Sequence, residues 1–377
     1  MIQMPNMLIL GSANRNVGKT EFACELIRRH AGRHVVVAVK ITTVREPDGC
    51  CPRGGEGCGV CGSLRGDYCL TEEMDTAAGK DTARIKEAGA QRVFWLRVLR
   101  DHLREGIEEL LRRIPAEACV VCESNSARLV LDPGAFLVIR DAGTTPTKES
   151  CAAVLEQADR ILLFHGDHWD MPPDRCRFTA GRWLVPMEAS AAVLAGGQSR
   201  RMGCDKSLLP IRGRPLLEHI LEQIRPLVDE TVIGANDPHK YEFAGVPVIA
   251  DEQPSEGPLM GILSVMQAAR HERVLVTACD IPELPASFLR MMLRKANHAD
   301  IVMPRDAQGR CEPLPAVYTR RIIGAARAVL ARGGRRIVEV LDEPGIRAGF
   351  VDLPHGGGFR NLNTPEDYRR LVDPECL

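Results

Sequence analysis

The 377-residue sequence has no strong imbalance of charge: 49 Lys and Arg stand against 50 Asp and Glu, a formal net charge of -1. A protein that follows a nucleic-acid backbone or lies on an anionic membrane uses a surplus of positive charge, so neither partner is expected, although local basic clusters can still bind phosphates. There is also no apolar run long enough to cross a bilayer, and Met1 to Leu10 has neither the basic start nor the cleavage site of a secretory signal. A cytoplasmic location is the expectation.

Hydrophobic residues at 45% and charged residues at 26% are ordinary for a globular chain, and the length suits two domains with separate cores. The expected units are 1–188 and 189–377, with the boundary near Val185 to Ser190, where Pro186 precedes an apolar run. The 14 cysteines are unevenly placed. Cys50, Cys51, Cys58, Cys61 and Cys69 crowd one Gly- and Pro-rich segment, and most of the single cysteines read as small buried hydrophobes. In a reducing compartment the crowded thiols read as ligands of zinc or an iron–sulfur cluster before disulfides, with a redox-active loop or ordinary free cysteines as alternatives.

The most informative stretch runs from Ala191 to Lys206. Ala191-Ala192-Val193-Leu194 suits a buried parallel strand, and Gly196-Gly197 follow where a strand end turns. Glycines there let the backbone approach a ligand, and Arg200, Arg201 and Lys206 attract the same anion as the exposed N–H groups of such a turn. A polyphosphate is the expected guest. Leu194 to Lys206 resembles the Leu-Ala-Gly-Gly-x-Ser-x-Arg-Met-Gly-x-Asp-Lys signature of molybdenum cofactor guanylyltransferases, with every fixed position filled. Related cytidylyltransferases look more like Leu-Ala-Ala-Gly, so Gly196 leans the resemblance towards GTP.

The resemblance continues to the end of the chain. Gly257-Pro258-Leu259-Met260-Gly261 is similar to the family's Gly-Pro-Leu-Ala-Gly, and Cys279-Asp280-Ile281-Pro282 to its Cys-Asp-Met-Pro. Arg310-Cys311-Glu312-Pro313 is similar to its Arg-x-His-Pro, with Glu312 in place of histidine. Asn361-Leu362-Asn363-Thr364-Pro365-Glu366-Asp367 matches Asn-x-Asn-Thr-Pro-Glu-Asp; read from the residues alone, Thr364 caps a helix, Pro365 opens it and Asp367 is the reciprocal acid.

The resemblance implies a Rossmann-like α/β nucleotidyltransferase domain with a mostly parallel sheet. It implies transfer of GMP from GTP to molybdopterin with release of pyrophosphate, and magnesium on Asp280. Arg200, Lys206 and Asp280 would be catalytic; Leu194, Ala195, Gly196, Gly197, Asn236, Asp251, Gly257 and Gly261 would hold the nucleotide; Asn361 and Asn363 would face the acceptor. A molybdoenzyme or a cofactor-insertion chaperone is the implied protein partner. Competing readings are CMP transfer to the same pterin, nucleotidyl transfer to a sugar phosphate, and a GTP-dependent adaptor that delivers the cofactor or its metal.

In the first half, Met7-Leu8-Ile9-Leu10 is a strand candidate followed by Gly11-Ser12-Ala13-Asn14-Arg15-Asn16-Val17-Gly18-Lys19-Thr20. This is phosphate-loop spacing: Lys19 reaches the outer phosphates, Thr20 offers a hydroxyl to magnesium, and the following helix points free N–H groups at the anion. The leading glycine of the pattern is Ala13, which would be strained if the loop needed positive φ there. Val35 to Ile41 reads as the next buried strand, and Arg97 to Arg113 as an amphipathic helix. Arg128 and Lys148 read as solvated charges. The loop, Gly79-Lys80-Asp81 with the residues after it, and Val120-Val121-Cys122-Glu123 resemble the small GTP-binding accessory protein of the same pathway. That resemblance implies a P-loop NTPase-like domain with Asn14, Gly18, Lys19, Thr20 and Glu123 at its nucleotide.

Overall fold

A computed structural model describes residues 1–44, 64, 66–74, 81–143, 147–196, 205–254, 256–353 and 359–372. The chain divides into two compact units, Met1–Val185 and Pro186–Leu377.

In the N-terminal unit the apolar runs become strands because each residue of a parallel strand can be buried on one face or the other. The elements in order are β1 (Ile2–Ser12), α1 (Lys19–His30), β2 (Val36–Val44), β3 (Tyr68–Glu72), α2 (Asp81–Glu87), β4 (Arg92–Leu99), α3 (Leu103–Leu111), β5 (Cys119–Glu123), β6 (Leu131–Asp141), the short α4 (Glu149–Ala152) and β7 (Arg160–Phe164). Among the described residues they build one sheet in the order β3-β4-β2-β5-β1-β6-β7, parallel throughout except where β3 runs against β4. Leu8 and Leu10 pack with Phe22, Leu26 and Ile27 of α1, while Met7 and Ile9 pack with Leu103, Ile107 and Leu110 of α3. The period-two alternation of β1 thus supplies two cores, one on each side of the sheet.

Two expectations fail here. Arg97, Val98 and Leu99 belong to β4 and not to an amphipathic helix, which starts only at Leu103. The reason is that Phe94, Leu96 and Val98 all bury their side chains on one sheet face, and the Arg97 guanidinium lies 4.7 Å from the Trp95 ring centre. Arg128 is buried and not solvated: it is 3.3 Å from Asp132 and donates to the Leu131 carbonyl at 2.8 Å. A hairpin of β8 (Arg177–Thr179) and β9 (Arg182–Leu184) closes the unit, and fully buried Trp183 donates its indole N–H to the Val120 carbonyl at 3.0 Å.

The C-terminal unit comprises β10 (Met187–Leu194), the two-residue strands β11 (Pro210–Ile211) and β12 (Arg214–Pro215), α5 (Leu216–Ile224), β13 (Val228–Gly234), β14 (Val248–Ile249), α6 (Pro258–Ala268), β15 (Arg273–Ala278), α7 (Ala286–Lys295), β16 (Ile301–Arg305), β17 (Ala316–Thr319), α8 (Ile323–Ala331), β18 (Ala348–Asp352) and α9 (Pro365–Val372). Its main sheet has the order β14-β13-β10-β15-β17-β16-β18, and only β17 is antiparallel to its neighbours. Leu216, Leu217, Ile220, Leu221 and Ile224 form the buried face of α5, as their spacing predicts. The carboxyl ends of β10, β13, β14, β15, β16 and β18 therefore share one edge of the sheet, the edge where open α/β folds bind ligands.

Candidate functional site

Leu194 ends β10 between Gly234 of β13 and Ala278 of β15. The chain then continues as Ala195, whose N–H donates to the Gly234 carbonyl at 2.9 Å, and Gly196, which is exposed. A Cβ on Gly234 would stand 2.7 Å from Leu194 Cδ2 and 3.0 Å from Val265 Cγ1, so a larger residue there would have to push the Leu194 side chain aside. Gly197 and Arg200 lie outside the described residues.

Lys206 Nζ donates to Asn363 Oδ1 at 2.9 Å and stands 3.5 Å from Asp280 Oδ2. Three chain segments far apart in sequence thus bring a cation, a carboxylate and an amide together beyond the ends of β10 and β15. The backbone enforces this: Cys279 N–H donates to the Leu194 carbonyl at 3.0 Å, and Leu362 N–H to the Asp280 carbonyl at 2.8 Å. Asn361 is exposed beside buried Leu362. Asn363 is held from behind, because Asp367 Oδ2 accepts from the N–H groups of Asn363 at 3.0 Å and Thr364 at 2.9 Å. Thr364 Oγ1 in turn accepts the Asp367 N–H at 3.2 Å, closing the reciprocal cap on α9. These hydrogen bonds to its anionic form hold the Asp367 carboxyl below the usual range.

On the other side of β10, Asn236 and Asp251 bind each other: Asn236 Nδ2 donates to Asp251 Oδ2 at 2.9 Å, and the Asp251 N–H to Asn236 Oδ1 at 2.7 Å. Gly257, at φ 87°, caps the start of α6. One turn on, a Cβ on Gly261 would be 3.3 Å from Asp251 Oδ1 and 4.0 Å from Leu194 Cδ2. Gly261 thus lets α6 approach Asp251 and the end of β10 closely. Glu312 follows the end of β16, where burial and nearby Asp306 push its carboxyl up despite Arg310.

In the N-terminal unit, Lys19 Nζ stands 3.3 Å from Glu123 Oε2, at the carboxyl ends of adjacent β1 and β5. Gly18 caps α1 at φ 66°, and Asn16 has φ 57°; Ala13 is not among the residues of positive φ, so the missing leading glycine causes no strain. Ala13 instead donates its N–H to the Ile139 carbonyl at 2.9 Å. Asn14 is nearly buried, and its carbonyl accepts from Lys148 Nζ at 2.6 Å, which makes Lys148 part of this loop's support. Thr20 lies in the first turn of α1. Asp81 enters the same neighbourhood through a 2.5 Å contact with Lys40 Nζ. Burial pushes the Asp81 carboxyl up, but Lys40, Lys19 and Arg84 outweigh it and hold it below the usual range.

Cys50, Cys51, Cys58 and Cys61 lie outside the described residues. Cys69 sits in β3, where its Sγ accepts from Arg97 at 3.1 Å. Among the described residues no group of three or more His, Cys, Asp or Glu is placed to hold a metal. Cys24, Cys119, Cys122, Cys151 and Cys176 are buried, whereas Cys279 and Cys311 are partly exposed.

Residues 191–344 match a protein family described as the MobA-like NTP transferase domain. The chain is 33% identical over 188 residues to the probable molybdenum cofactor guanylyltransferase of Carboxydothermus hydrogenoformans, a match covering 48% of this chain and 94% of that protein. It is 35% identical over 190 residues to the molybdenum cofactor guanylyltransferase of Shewanella halifaxensis, covering 49% of this chain and 94% of the relative. The chain belongs to the molybdenum cofactor guanylyltransferase family. A solved structure, molybdopterin-guanine dinucleotide biosynthesis protein A of Archaeoglobus fulgidus, aligns with a TM-score of 0.43 and 24% identity over 49% of this chain and 97% of its own. The family segment 191–344 lies within the C-terminal unit and carries Lys206 and Asp280; Asn363 joins them from beyond it.

Sequence reasoning missed the residues that support the Lys206–Asp280–Asn363 cluster from behind. Buried Tyr241 donates its hydroxyl to the Ala195 carbonyl at 2.9 Å, Ser207 Oγ donates to Asp205 Oδ1 at 2.6 Å, and Lys240 pairs with Asp205. All lie in short 3-10 segments or turns, where no periodic pattern marks a buried side chain.

Proposed function

We propose that the chain transfers GMP from GTP to the phosphate of molybdopterin and releases pyrophosphate. The observation that carries this reading is the meeting of Lys206, Asp280 and Asn363 at the carboxyl edge of a mostly parallel sheet, directly beyond Leu194 and Ala195. An oxygen of the acceptor phosphate attacks the α-phosphorus of GTP, a new P–O bond forms, and the bond from the α-phosphorus to the bridging oxygen breaks. Both reactants are anions, so the barrier is dominated by charge repulsion and alignment, with little need for a strong base. Lys206 neutralises phosphate charge, and Asn363 holds its ammonium group on the acceptor side. Arg200 and the backbone at Gly196 and Gly197 complete the anion site in this reading.

Asp280 fits a divalent cation: its side chain is 27% exposed, it lies two residues beyond β15, and a single carboxylate with substrate phosphates is an ordinary magnesium donor set. When bound, magnesium would neutralise phosphate charge there. The segment from Gly257 to Gly261 receives the base in this reading, with Asn236 and Asp251 supplying polar partners and Gly257 setting the helix start. Preference for GTP rests on Gly196. Incubation of the purified chain with molybdopterin and each nucleoside triphosphate tests the reading. Pyrophosphate and a guanine dinucleotide product are expected with GTP, and no pyrophosphate from GTP would overturn it.

We further propose that the N-terminal unit is a P-loop domain that binds GTP through Asn14, Gly18, Lys19 and Thr20. The Lys19–Glu123 pair across β1 and β5 supports this, and isothermal titration of the Lys19→Ala chain against wild type tests it.

A further inference from the structure

Tyr241 is 1% exposed, and a buried phenol is costly unless its hydroxyl finds a partner. That hydroxyl donates to the Ala195 carbonyl, 2.9 Å away, just beyond β10. It also lies 3.2 Å from Ser207 Oγ, whose own proton goes to Asp205 Oδ1 at 2.6 Å. With both hydroxyl protons committed elsewhere, the Tyr241–Ser207 approach carries none, and the hold on the turn falls to Lys240 and Asp205. The preceding residue, Lys240, forms an ion pair with Asp205. Two consecutive residues, 240 and 241, thus grip both ends of the signature segment: Tyr241 holds Ala195 and Lys240 holds Asp205. Lys206 follows Asp205, and the turn it opens is closed by Asp205 Oδ1 accepting the Ser207 N–H at 2.9 Å.

We propose that Tyr241, assisted by Lys240, is a positioning residue for Lys206, tying the end of β10 to the turn that carries the lysine. The inference rests on the transferase reading for its kinetic consequence but not for its structural one. Tyr241 is too deeply buried to touch substrate, so it acts only through where it puts the ammonium group. Lys206 neutralises charge that grows towards the transition state, so misplacing it lowers kcat while leaving most of the ground-state affinity for GTP.

The test is Tyr241→Phe in the full chain, which keeps the ring and removes one hydroxyl. Loss of one neutral buried hydrogen bond predicts a fall in kcat of about three- to tenfold, with the KM for GTP changed by less than about twofold. Hydrogen–deuterium exchange of the amides at 205–209 should quicken in the variant, because the turn loses its tie to β10. Should Tyr241→Phe fail to fold, Lys240→Met reads the same turn from the Asp205 side. Unchanged kcat together with unchanged exchange overturns the inference, as does a lowered melting temperature with kcat intact. Absence of pyrophosphate release by wild type refutes the transferase reading; exchange at 205–209 then decides the positioning role alone, faster exchange upholding it and unchanged exchange refuting it.

Discussion

Replacement of Lys206 by alanine separates catalysis from folding at this site. The ammonium group is 3.5 Å from Asp280, where two unit charges at an effective dielectric near 20 attract by about 5 kcal/mol before desolvation is charged against them. The side chains are 14% and 27% exposed, so water still reaches both groups and offsets most of that attraction, leaving roughly 1 kcal/mol to stability. Lys206→Ala is therefore expected to fold and to melt close to wild type. Catalysis should respond differently, because removal leaves the Asp280 carboxylate uncompensated beside an incoming triphosphate. Loss of one preorganised positive group aimed at developing phosphoryl charge costs about 3 kcal/mol, or on the order of a hundredfold in kcat. Pyrophosphate release at saturating GTP and molybdopterin, set beside a thermal melt, measures both quantities. A variant within about fivefold of wild-type kcat would refute the assignment of this pocket.

Gly261→Ala is expected to raise the KM for GTP several-fold, roughly the effect of about 1 kcal/mol, because its Cβ would crowd Asp251 Oδ1 at 3.3 Å; wild type should also favour GTP over CTP by at least about tenfold in kcat/KM. Equal efficiency with CTP would count against guanine selection at this site. Asp280→Asn should lose about a hundredfold in rate and weaken the response to added magnesium, followed in a metal titration. Lys19→Ala should weaken GTP binding by the N-terminal unit, followed calorimetrically, and leave pyrophosphate release unchanged. The chain purified anaerobically should carry zinc or an iron–sulfur cluster bound by thiolates among Cys50, Cys51, Cys58, Cys61 and Cys69; replacing Cys58 and Cys61 together should abolish it by elemental analysis, and full loading in that variant would exclude these ligands.

The buried strands were legible because Met7 to Leu10 and Ala191 to Leu194 are apolar runs that end at glycine or a polar loop. The reciprocal cap at Thr364 and Asp367 was legible because it depends on residues three apart in sequence. Less legible was β4, where charges interleaved with apolar residues satisfy helical and strand periods together and only burial on a sheet decides. The β8–β9 hairpin turns through Ala180 at φ 48° and Gly181 at φ 70°, a pair of left-handed residues for which asparagine–glycine is the usual signal. Alanine there hides the turn. Tyr241 was illegible for another reason: its partners, Ala195 and Ser207, are 46 and 34 residues away, and nothing local announces the meeting.

The two units arrive at one arrangement from different sequences. In each, a lysine follows the loop after a central parallel strand, and it faces an acid at the end of the next strand in the sheet: Lys19 with Glu123 across β1 and β5, Lys206 with Asp280 across β10 and β15. Parallel register makes this pairing available, since it sets Glu123 opposite Leu10 and Ala278 opposite Leu194, bringing carboxyl ends of neighbouring strands level. The acids then differ in burial. The Glu123 side chain is 1% exposed, with Lys19 against it, whereas the Asp280 side chain is 27% exposed. A buried carboxylate that loses its cation is left with an uncompensated charge, and an exposed one is rescued by water. Lys19→Ala should consequently destabilise its unit by about 3 kcal/mol, while Lys206→Ala should leave the stability of its unit close to wild type. Chemical denaturation of the two variants followed by a probe in each unit distinguishes them; equal stability losses would show that burial does not separate the two pairs.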